Sequence, residues 1–424
     1  MKHSSIDATN GGRLGSEGPL RVLHVIQSVA PGYGGPSAAV LGMCRAVRGF
    51  GVQAEIFTTN VDVDGFLDVP FRERREFEGV PTTFFPPQLS PRRFRFSLPF
   101  ARALFHSVRY FDLLHIHSLY NFPAAVAAWC CRRCRVPYIL RPHGTLDPYH
   151  FRQRRLVKAG YEALFERRNL AFAAAVHFTS DEEMRLARMT KWSFQGVVVP
   201  LGVDVPPAAP PDRSIAESMW PRCKGKRVVL FLGRLDEKKG LDLLIPAFAK
   251  LVRQRPDLHL LIAGPENGGY GRTIRALARE LRVEDAVTFA GMVRWEAKAG
   301  AFASAELFVL PSRSENFGVA VVEAMAAGLP VVVSEHVNIA PRIVAAGAGV
   351  EVALDIGDIE KAMASLLDNP ARAQAMGHLA RALVQAEFSW ERAGARLAEL
   401  YRGALRTFRR RSPVAEDSEA DACA

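Results

Sequence analysis

Short apolar runs alternate with longer amphipathic segments through most of the chain. Five runs in the first half have the length and composition of buried strands: RVLHVIQ, VQAEIFTT, DLLHIH, VPYILRP and AAVHFTS. Helical stretches lie between them, among them the apolar segment that ends near Phe50 and the segment from Tyr161 to Leu170. Continuous apolar strands separated by helices predict a mainly parallel sheet covered on both faces.

A proline-rich run, VDVPPAAPPDR at 203–213, interrupts this alternation and predicts a hinge or linker. A second series of short strands follows it: RVVLFLG, LHLLIAG, AVTFAG, ELFVLP and PVVVS. The pattern therefore predicts an α/β protein with two doubly wound domains, at 20–203 and 204–387. Because 1–19 and 409–424 are small or polar, we expect both to be disordered tails.

Composition is that of an ordinary globular protein. The chain has 424 residues, of which 49% are hydrophobic and 23% charged, enough for two or three domains. The longest apolar runs are far shorter than the about 18 residues of a membrane span, and the first residues do not have the form of a signal peptide. These features predict a cytoplasmic protein.

The six cysteines are expected to be thiols in that setting. Cys131 and Cys134 have the spacing of a metal or redox pair, but the sequence supplies no second Cys or His pair at zinc-ligand spacing. We interpret both as packed or half-exposed thiols in a helix, and the sequence predicts no metal site.

The chain is basic, with a formal charge of +11 from 55 Lys and Arg against 44 Asp and Glu. Arginines alternate with aromatic residues in three clusters: PRRFRF at 91–96, FRQRRLVK at 151–158 and FRRR at 408–411. Such clusters suit anionic membranes or nucleic acid. No zinc-finger, RNP or helix-turn-helix pattern accompanies them, so a nucleic-acid partner is not expected. The alternative is ordinary solvated charge.

Two loops at predicted strand ends are suited to phosphate. PGYGGPS at 31–37 opens a helix, and its Gly34 and Gly35 allow the backbone to approach an anion closely. FLGRLDEKKG at 231–240 supplies Arg234 together with Lys238 or Lys239, which could clamp a diphosphate. A solvated basic loop is the alternative for the second segment.

The segment PSRSENFGVAVVEAMAAGLP at 311–330 carries two glutamates, one on the loop and one inside the helix that follows. Glu315 and Glu323 would lie about 12 Å apart on a continuous helix, too far for a shared carboxylate pair but suited to one extended ligand. Glu323 could hold a ribose diol, and backbone N–H groups near Phe317 and Gly318 could meet a sugar and its phosphate. Two solvated glutamates near a helix start remain the alternative.

Together with LIAGPE, FAGMV and PLGVD, these segments resemble the retaining glycosyltransferases of family four (glycosyl transferases group 1), over most of Leu20 to Arg406. The resemblance implies the GT-B fold, in which two Rossmann-like domains face a cleft. It also implies transfer of a sugar from a UDP- or GDP-sugar to an acceptor hydroxyl, with retention of configuration and without a metal or other cofactor. The acceptor hydroxyl would attack from the face the diphosphate leaves, and the leaving phosphate would take its proton.

The resemblance assigns the donor site to residues from both domains. Its implied members are Gly233, Arg234 and Lys239 at the diphosphate, Glu323 at the ribose, Glu315 and the backbone of Asn316, Phe317 and Gly318 at the donor sugar, Gly34 and Gly35 at the phosphates, and Met292 and Val293 beside the base. Asn316 stands where glycine is frequent in the family, although asparagine also occurs there.

RPHGTLDPY at 141–149 resembles a further motif, found in the subset that builds bacterial surface polysaccharides. It implies that His143 lies in the cleft beside the reacting sugar, as a catalytic residue with Glu315. His115 and His117 are weaker candidates, for packing or for the cleft.

The family also implies that the C-terminal segment, 388–408, returns as a helix to the first domain, which takes the acceptor. Basic clusters on that side suggest a lipid-linked saccharide acceptor, used in exopolysaccharide, capsule or O-antigen synthesis, and peripheral contact with the inner face of the cell membrane. Two alternatives are a nucleotide-sugar 2-epimerase of GT-B fold and a catalytically silent sugar-nucleotide-binding subunit.

Overall fold

The computed structural model describes residues 18–63, 65–88, 96–147, 161–207, 212–266 and 268–411. Most of the two predicted tails, the basic clusters at 91–95 and 151–158, the linker residues 208–211 and Cys423 lie outside the described residues.

The first half of the chain forms an eight-stranded sheet in the order β3-β4-β2-β1-β5-β6-β7-β8. The described pairings are parallel, apart from the antiparallel pair β3 and β4. The strands are β1 Leu20–Ser28, β2 Val52–Thr59, β3 Arg74–Phe77, β4 Val80–Phe85, β5 Leu113–His117, β6 Tyr138–Arg141, β7 Ala175–Phe178 and β8 Gly196–Val198. The five strands predicted for this half are confirmed.

Helices cover both faces of this sheet. They are α1 Gly35–Ala46, α2 Leu98–Ser107, α3 Phe122–Cys134, α4 Arg167–Phe172 and α5 Asp181–Arg188. Alternate residues of β1 show why two faces are needed. Val22 packs with α1, whereas Leu23 and Val25 pack with α2 and α3, and each side chain is fully buried.

The second half forms a six-stranded, parallel sheet in the order β11-β10-β9-β12-β13-β14. Its strands are β9 Arg227–Leu232, β10 Leu258–Ala263, β11 Val287–Gly291, β12 Ala305–Leu310, β13 Val331–Ser334 and β14 Gly349–Val352. Its helices are α6 Ser214–Met219, α7 Leu241–Gln254, α8 Tyr270–Glu280, α9 Trp295–Ser304, α10 Val319–Ala326, α11 Ala340–Ala345, α12 Ile356–Leu367 and α13 Pro370–Leu383.

Helix α7 shows how the sequence places these helices. Leu244, Ile245, Phe248 and Leu251 recur at helical spacing and are buried, and burying each such side chain is worth about 1.5–3 kcal/mol. The helix therefore packs one apolar face on the sheet, and its start marks the loop that carries the basic residues.

The last helix, α14 Trp390–Arg411, leaves the second sheet and packs on α1 of the first domain. A Cβ on Gly42 of α1 would overlap the Trp390 ring, so the two helices approach closely. Next to this crossing, the backbone N–H of Val203 donates to the carbonyl of Phe388 at 2.8 Å. The chain crosses between the two domains near Val203 and again near Phe388, and these two crossings therefore lie side by side, as a hinge requires.

The predicted returning helix is thus present, but it begins at Trp390 instead of 388 and extends three residues past the predicted 408. The arginines of FRRR lie on its last turn. Within the described ranges, none of the helices has the length and apolarity needed to cross a bilayer.

Candidate functional site

Loops at the carboxyl ends of the second sheet lie next to one another because glycines bring their backbones close. The N–H of Gly233 donates to the carbonyl of Ala263 at 2.9 Å, and the N–H of Gly264 donates to that of Gly291 at 2.7 Å. The ends of β9, β10 and β11 therefore form one continuous edge. Arg234 is exposed at this edge.

Met292 and Val293 follow β11 at the same edge. The Met292 side chain is 43% exposed, and Val293 is half-buried against the core. Their position is compatible with the predicted border of a base, since an exposed thioether offers an apolar surface for a flat ring.

The loop that carries Lys239 is tied to the end of β12. Gly240 has φ +70°, and a Cβ there would collide with the carbonyl oxygen of Pro311, so this turn requires glycine. The N–H of Arg313 donates to the carbonyl of Lys238 at 2.6 Å. These contacts hold the basic loop beside the segment 311–318.

Lys239 and Glu315, predicted to serve the same ligand, form an ion pair between Nζ and Oε2. Their side chains are only 18% and 17% exposed. The backbone of Glu315 is held as well, since its N–H donates to the carbonyl of His336 and its carbonyl accepts from the N–H of Asn338, each at 3.0 Å. The carboxylate therefore has a fixed position at the sheet edge.

The backbone from Asn316 to Gly318 turns into α10. The Phe317 ring is 3% exposed and packs edge-on against Phe388 at 5.7 Å between centroids, so only the backbone of this residue faces outwards. Gly318 caps α10 with φ +78°. The N-terminus of α10 thus offers free N–H groups at the site.

Glu323 lies inside α10, as predicted, and its carboxylate accepts from Lys298 Nζ on α9 at 2.6 Å. Lys298 is a site residue that sequence reasoning missed, because the pair joins two helices across 25 positions of sequence. Each predicted glutamate therefore has its own lysine.

The first domain meets this edge through loops after β1 and β6. Gly34 caps α1, and a Cβ on Gly35 would reach within 4.0 Å of Val319 at the start of α10. A Cβ on Gly144 would lie 3.0 Å from Oδ1 of Asn316. The structure therefore places the loop 31–37 and the loop that contains Gly144 against the segment 311–319.

A buried carboxylate, also missed, holds the second of these loops. Glu183 accepts from the N–H of Gly144 at 2.9 Å, and from the N–H and hydroxyl of Thr179 at 2.7 and 2.8 Å. Thr179 in turn accepts from Nδ2 of Asn316 at 3.3 Å. Glu183 thus links the loop that contains His143 to the second domain.

His143 lies on this loop with φ +55° and is half-buried. Its Nε2 lies 3.2 Å from Nδ1 of His117. Burial, followed by the charge of Arg141, lowers the pKa of His143 well below its usual value, so the ring is neutral. His115 and His117 are fully buried in β5, beneath the cleft.

The site is basic around its two acids. Arg234, Lys238, Lys239 and Lys298 come from loops or helix starts at one sheet edge, and burial lowers the pKa of Lys238. Such an edge suits a ligand with an anionic centre and hydroxyl groups at both ends.

The cysteine pair takes no part in it. Cys131 is a buried thiol and Cys134 a half-buried one, both on α3, and burial raises the pKa of Cys131 well above its usual value. This agrees with the interpretation of this stretch as packed thiols.

Comparison with known proteins covers both halves of the chain. Residues 34–202 match a glycosyl transferase 4-like domain, and residues 215–383 match the glycosyl transferases group 1 family. A GDP-mannose-dependent monoacylated alpha-(1-6)-phosphatidylinositol monomannoside mannosyltransferase from Corynebacterium glutamicum is 35% identical over 48% of this chain and 55% of its own length. A D-inositol 3-phosphate glycosyltransferase from Gordonia bronchialis is 32% identical over 53% of this chain and 50% of its own. The chain thus spans about half the length of these curated relatives.

Among solved structures, HepE from Anabaena in complex with UDP and glucose superposes with a TM-score of 0.71. It is 20% identical, and the match covers 90% of this chain and 99% of that one. The two Rossmann-like domains have the architecture of the GT-B fold.

Proposed function

We infer the function of this chain from its family: it belongs to the glycosyl transferases of group 1, with a glycosyl transferase 4-like domain in its first half. We propose that it moves a sugar from a nucleotide-diphosphate sugar to an acceptor hydroxyl, with retention of configuration. The observation that carries the proposal is the meeting of both domains at 311–319, beside two glutamates, Glu315 and Glu323, that each pair with a lysine.

In this proposal the ion pair between Lys239 and Glu315 is exchanged when the donor binds. Lys239 would turn from Glu315 to the diphosphate, joined by the exposed Arg234, and Glu315 would accept hydroxyl groups of the donor sugar. Glu323 would accept the ribose hydroxyls while its carboxylate stays paired with Lys298. Because these cations and the N-terminus of α10 supply positive charge at the diphosphate, we propose that transfer needs no metal ion.

The bond changes follow from a donor held in this way. The bond from the anomeric carbon to the leaving phosphate oxygen breaks, and a bond to the acceptor oxygen forms on the same face. The acceptor's proton passes to the leaving phosphate. His143 is neutral, so we propose that it contacts the reacting sugar as a hydrogen-bond partner.

The relatives support two donor classes. The Corynebacterium relative is named as GDP-mannose-dependent, and the HepE structure contains UDP. We therefore propose a UDP- or GDP-sugar as donor. The contacts of the base would come from Met292, Val293 and the backbone beside them.

The experiment incubates the protein with UDP- and GDP-sugars and a panel of free and lipid-linked saccharide acceptors, and determines the anomeric configuration of the product by NMR. The expected result is a product with the configuration of the donor. An inverted product would contradict retention. Formation of an epimerised nucleotide-sugar without any acceptor would contradict transfer and support the alternative function, a nucleotide-sugar 2-epimerase.

We further propose that the acceptor is lipid-linked and that the first domain contacts an anionic membrane. Apolar side chains are exposed on its helices, with Phe172 60% and Trp129 52% exposed. The guanidinium of Arg168 lies 5.8 Å from the Phe172 ring centroid. Aromatic and arginine side chains together suit an anionic interface.

Sedimentation with anionic and neutral vesicles tests this contact. We expect preference for anionic vesicles, weakened by Phe172→Ser and Trp129→Ser. The matched control is Leu379→Ser, which removes a side chain 49% exposed on the second domain. Equal sedimentation with both vesicle types would contradict the proposal.

A further inference from the structure

A layer of buried imidazoles lies on one face of the first sheet. His24 of β1 lies opposite His115 of β5, and His117 lies opposite Arg141 of β6. These three histidines and His177 of β7 are fully buried. Helices α1 and α14 cover this face.

The rings form one continuous series that begins at a backbone carbonyl and ends at the cleft. Its contacts are Val199 O to His177 Nε2 at 2.8 Å, His177 Nδ1 to His115 Nε2 at 3.3 Å, His115 Nδ1 to Tyr401 Oη at 3.0 Å, Tyr401 Oη to His24 Nε2 at 3.3 Å, His24 Nδ1 to His117 Nε2 at 3.0 Å, and His117 Nδ1 to His143 Nε2 at 3.2 Å. We call these five histidines and Tyr401 the histidine relay.

Every ring in the relay is neutral. Burial lowers the pKa of His24 and of His177 to about 3, with a smaller contribution from the charge of Arg141. Burial likewise lowers the pKa of His115 and of His117 well below 6.5, and neighbouring histidines and Arg141 add to the effect. A neutral imidazole has one N–H donor and one acceptor nitrogen.

The carbonyl at one end then sets the direction of every hydrogen bond. Val199 O can only accept, so His177 carries its proton on Nε2 and accepts at Nδ1 from His115 Nε2. His115 Nδ1 must therefore accept from the hydroxyl of Tyr401, which in turn accepts from His24 Nε2. The same logic continues through the last two rings.

His24 Nδ1 accepts from His117 Nε2, and His117 Nδ1 accepts from His143 Nε2. We propose that the histidine relay fixes His143 as the Nε2–H tautomer, so that its Nδ1 lone pair is the group offered to a substrate hydroxyl in the cleft. This proposal rests on the proposed function. The other relay members are positioning residues, and Tyr401 makes the returning helix α14 one of its links.

A metal ion is the competing explanation for part of the relay. Nitrogen atoms of His24, His115 and His117 lie within 4.8 Å of one another. Each of these rings already uses both nitrogens within the relay. Arg141 is buried beside them, and its positive charge opposes a cation. These observations favour the relay.

The first test needs no substitution. Long-range proton–nitrogen NMR of the full chain, labelled with ¹⁵N in the imidazole rings, distinguishes the two neutral tautomers from the charged ring. We expect all five relay rings as the Nε2–H tautomer and uncharged between about pH 5 and 8, where ordinary histidines change charge. A Nδ1–H tautomer at any of them, or a stoichiometric metal by elemental analysis, would overturn the relay.

The second test cuts the relay in the middle. Tyr401→Phe removes the acceptor of His24 Nε2 while leaving His115 and His177 anchored to Val199. We expect those two rings to keep Nε2–H, while a Nδ1–H population appears at the three rings on the other side: His24, His117 and His143.

Tyr138→Phe is the matched control, because its buried hydroxyl donates to the carbonyl of Asn169 outside the relay, at 2.6 Å. It should leave all five tautomers unchanged. Unchanged tautomers in Tyr401→Phe would contradict the proposal.

Measuring the turnover of the enzyme provides an independent test. We expect Tyr401→Phe to lower kcat by roughly 10- to 100-fold, as when a group that orients an active-site imidazole is lost, with KM for the donor unchanged. A wild type with the expected tautomers but no transfer would refute the proposed function and leave the relay standing. If Tyr401→Phe shows the expected change of tautomers but keeps the kcat of the wild type, the role of the histidine relay in positioning His143 is refuted.

Discussion

Removing the carboxylate of Glu183 should destabilise the loop that carries His143. The side chain is 5% exposed and accepts hydrogen bonds from two backbone N–H groups, those of Gly144 and Thr179, as well as from the Thr179 hydroxyl. Glu183→Ala leaves both N–H groups without their charged acceptor. The substitution therefore alters the backbone of the loop that contains His143, which lies where the two domains meet.

The magnitude follows from these contacts. A hydrogen bond to a charged group contributes about 1.5–3 kcal/mol, so losing two backbone bonds should lower the free energy of unfolding by roughly 3–6 kcal/mol. Glu183→Gln keeps one acceptor oxygen but turns an amide NH₂ towards the other donor. We expect roughly half of the cost.

Urea denaturation measures the free energy, and hydrogen exchange at the amides of Gly144 and Thr179 locates the change. Glu182→Ala is the matched control, because Glu182 pairs with Arg185, whose side chain is 63% exposed. Such a pair contributes under about 1 kcal/mol. If Glu183→Ala costs no more than this control, the role assigned to Glu183 is wrong.

Two further predictions concern the fold that supports the site. Because the folded-state pKa values of His24 and His177 are about 3, the unfolded chain binds protons that the fold excludes. As the pH decreases below about 6.5, the free energy of unfolding should therefore decrease, by up to about 1.4 kcal/mol per pH unit for each buried histidine. Urea titrations that show constant stability down to about pH 4 would contradict this. Gly240→Ala should cost at least about 1–2 kcal/mol, because φ is +70° and the Cβ meets Pro311. Gly49→Ala, whose Cβ meets open space among the described atoms, should change thermal unfolding little, and equal effects of the two would refute the argument.

Strand patterns of high apolar content predicted the fold well, and physical reasons explain why they missed three strands at sheet edges, β3, β8 and β14. β3 reads RREF and lies at the sheet edge with most of its side chains exposed, so it carries no apolar signal. β8, GVV, has only three residues. β14, GVEV, includes an exposed Glu351 and, among the described strands, pairs with β13 alone. Edge strands need fewer apolar residues, and pattern reasoning finds them least easily.

The candidate site was predictable wherever its residues follow a strand directly. Arg234 and Glu315 lie on the loops that follow β9 and β12, and because these strands are neighbours in the sheet, topology brings the two loops together. Lys298 and Glu183 act through contacts between elements distant in sequence. Local patterns carry no signal for such contacts.

Part of the histidine relay could be predicted from the sequence. His24 is a polar residue at the centre of an apolar strand, a conflict between chemistry and pattern that often marks a function. His115 lies beside His24 because β1 pairs with β5, and these two strands are not consecutive in the sequence. Tyr401 lies 377 positions from His24 in sequence, and only the packing of α14 brings them together.

We propose that the two ion pairs, Lys239–Glu315 and Lys298–Glu323, mark the site of a nucleotide-diphosphate sugar. Calorimetric titration of UDP- and GDP-sugars into wild type, Lys239→Ala and Glu323→Ala tests it most directly, with Lys361→Ala as a control whose side chain is 82% exposed. We predict that one nucleotide class binds the wild type and the control equally. The two site variants should bind it roughly 10- to 100-fold more weakly, the cost of one charge-assisted hydrogen bond. Equal binding by all four proteins, or no binding by the wild type, would contradict the account.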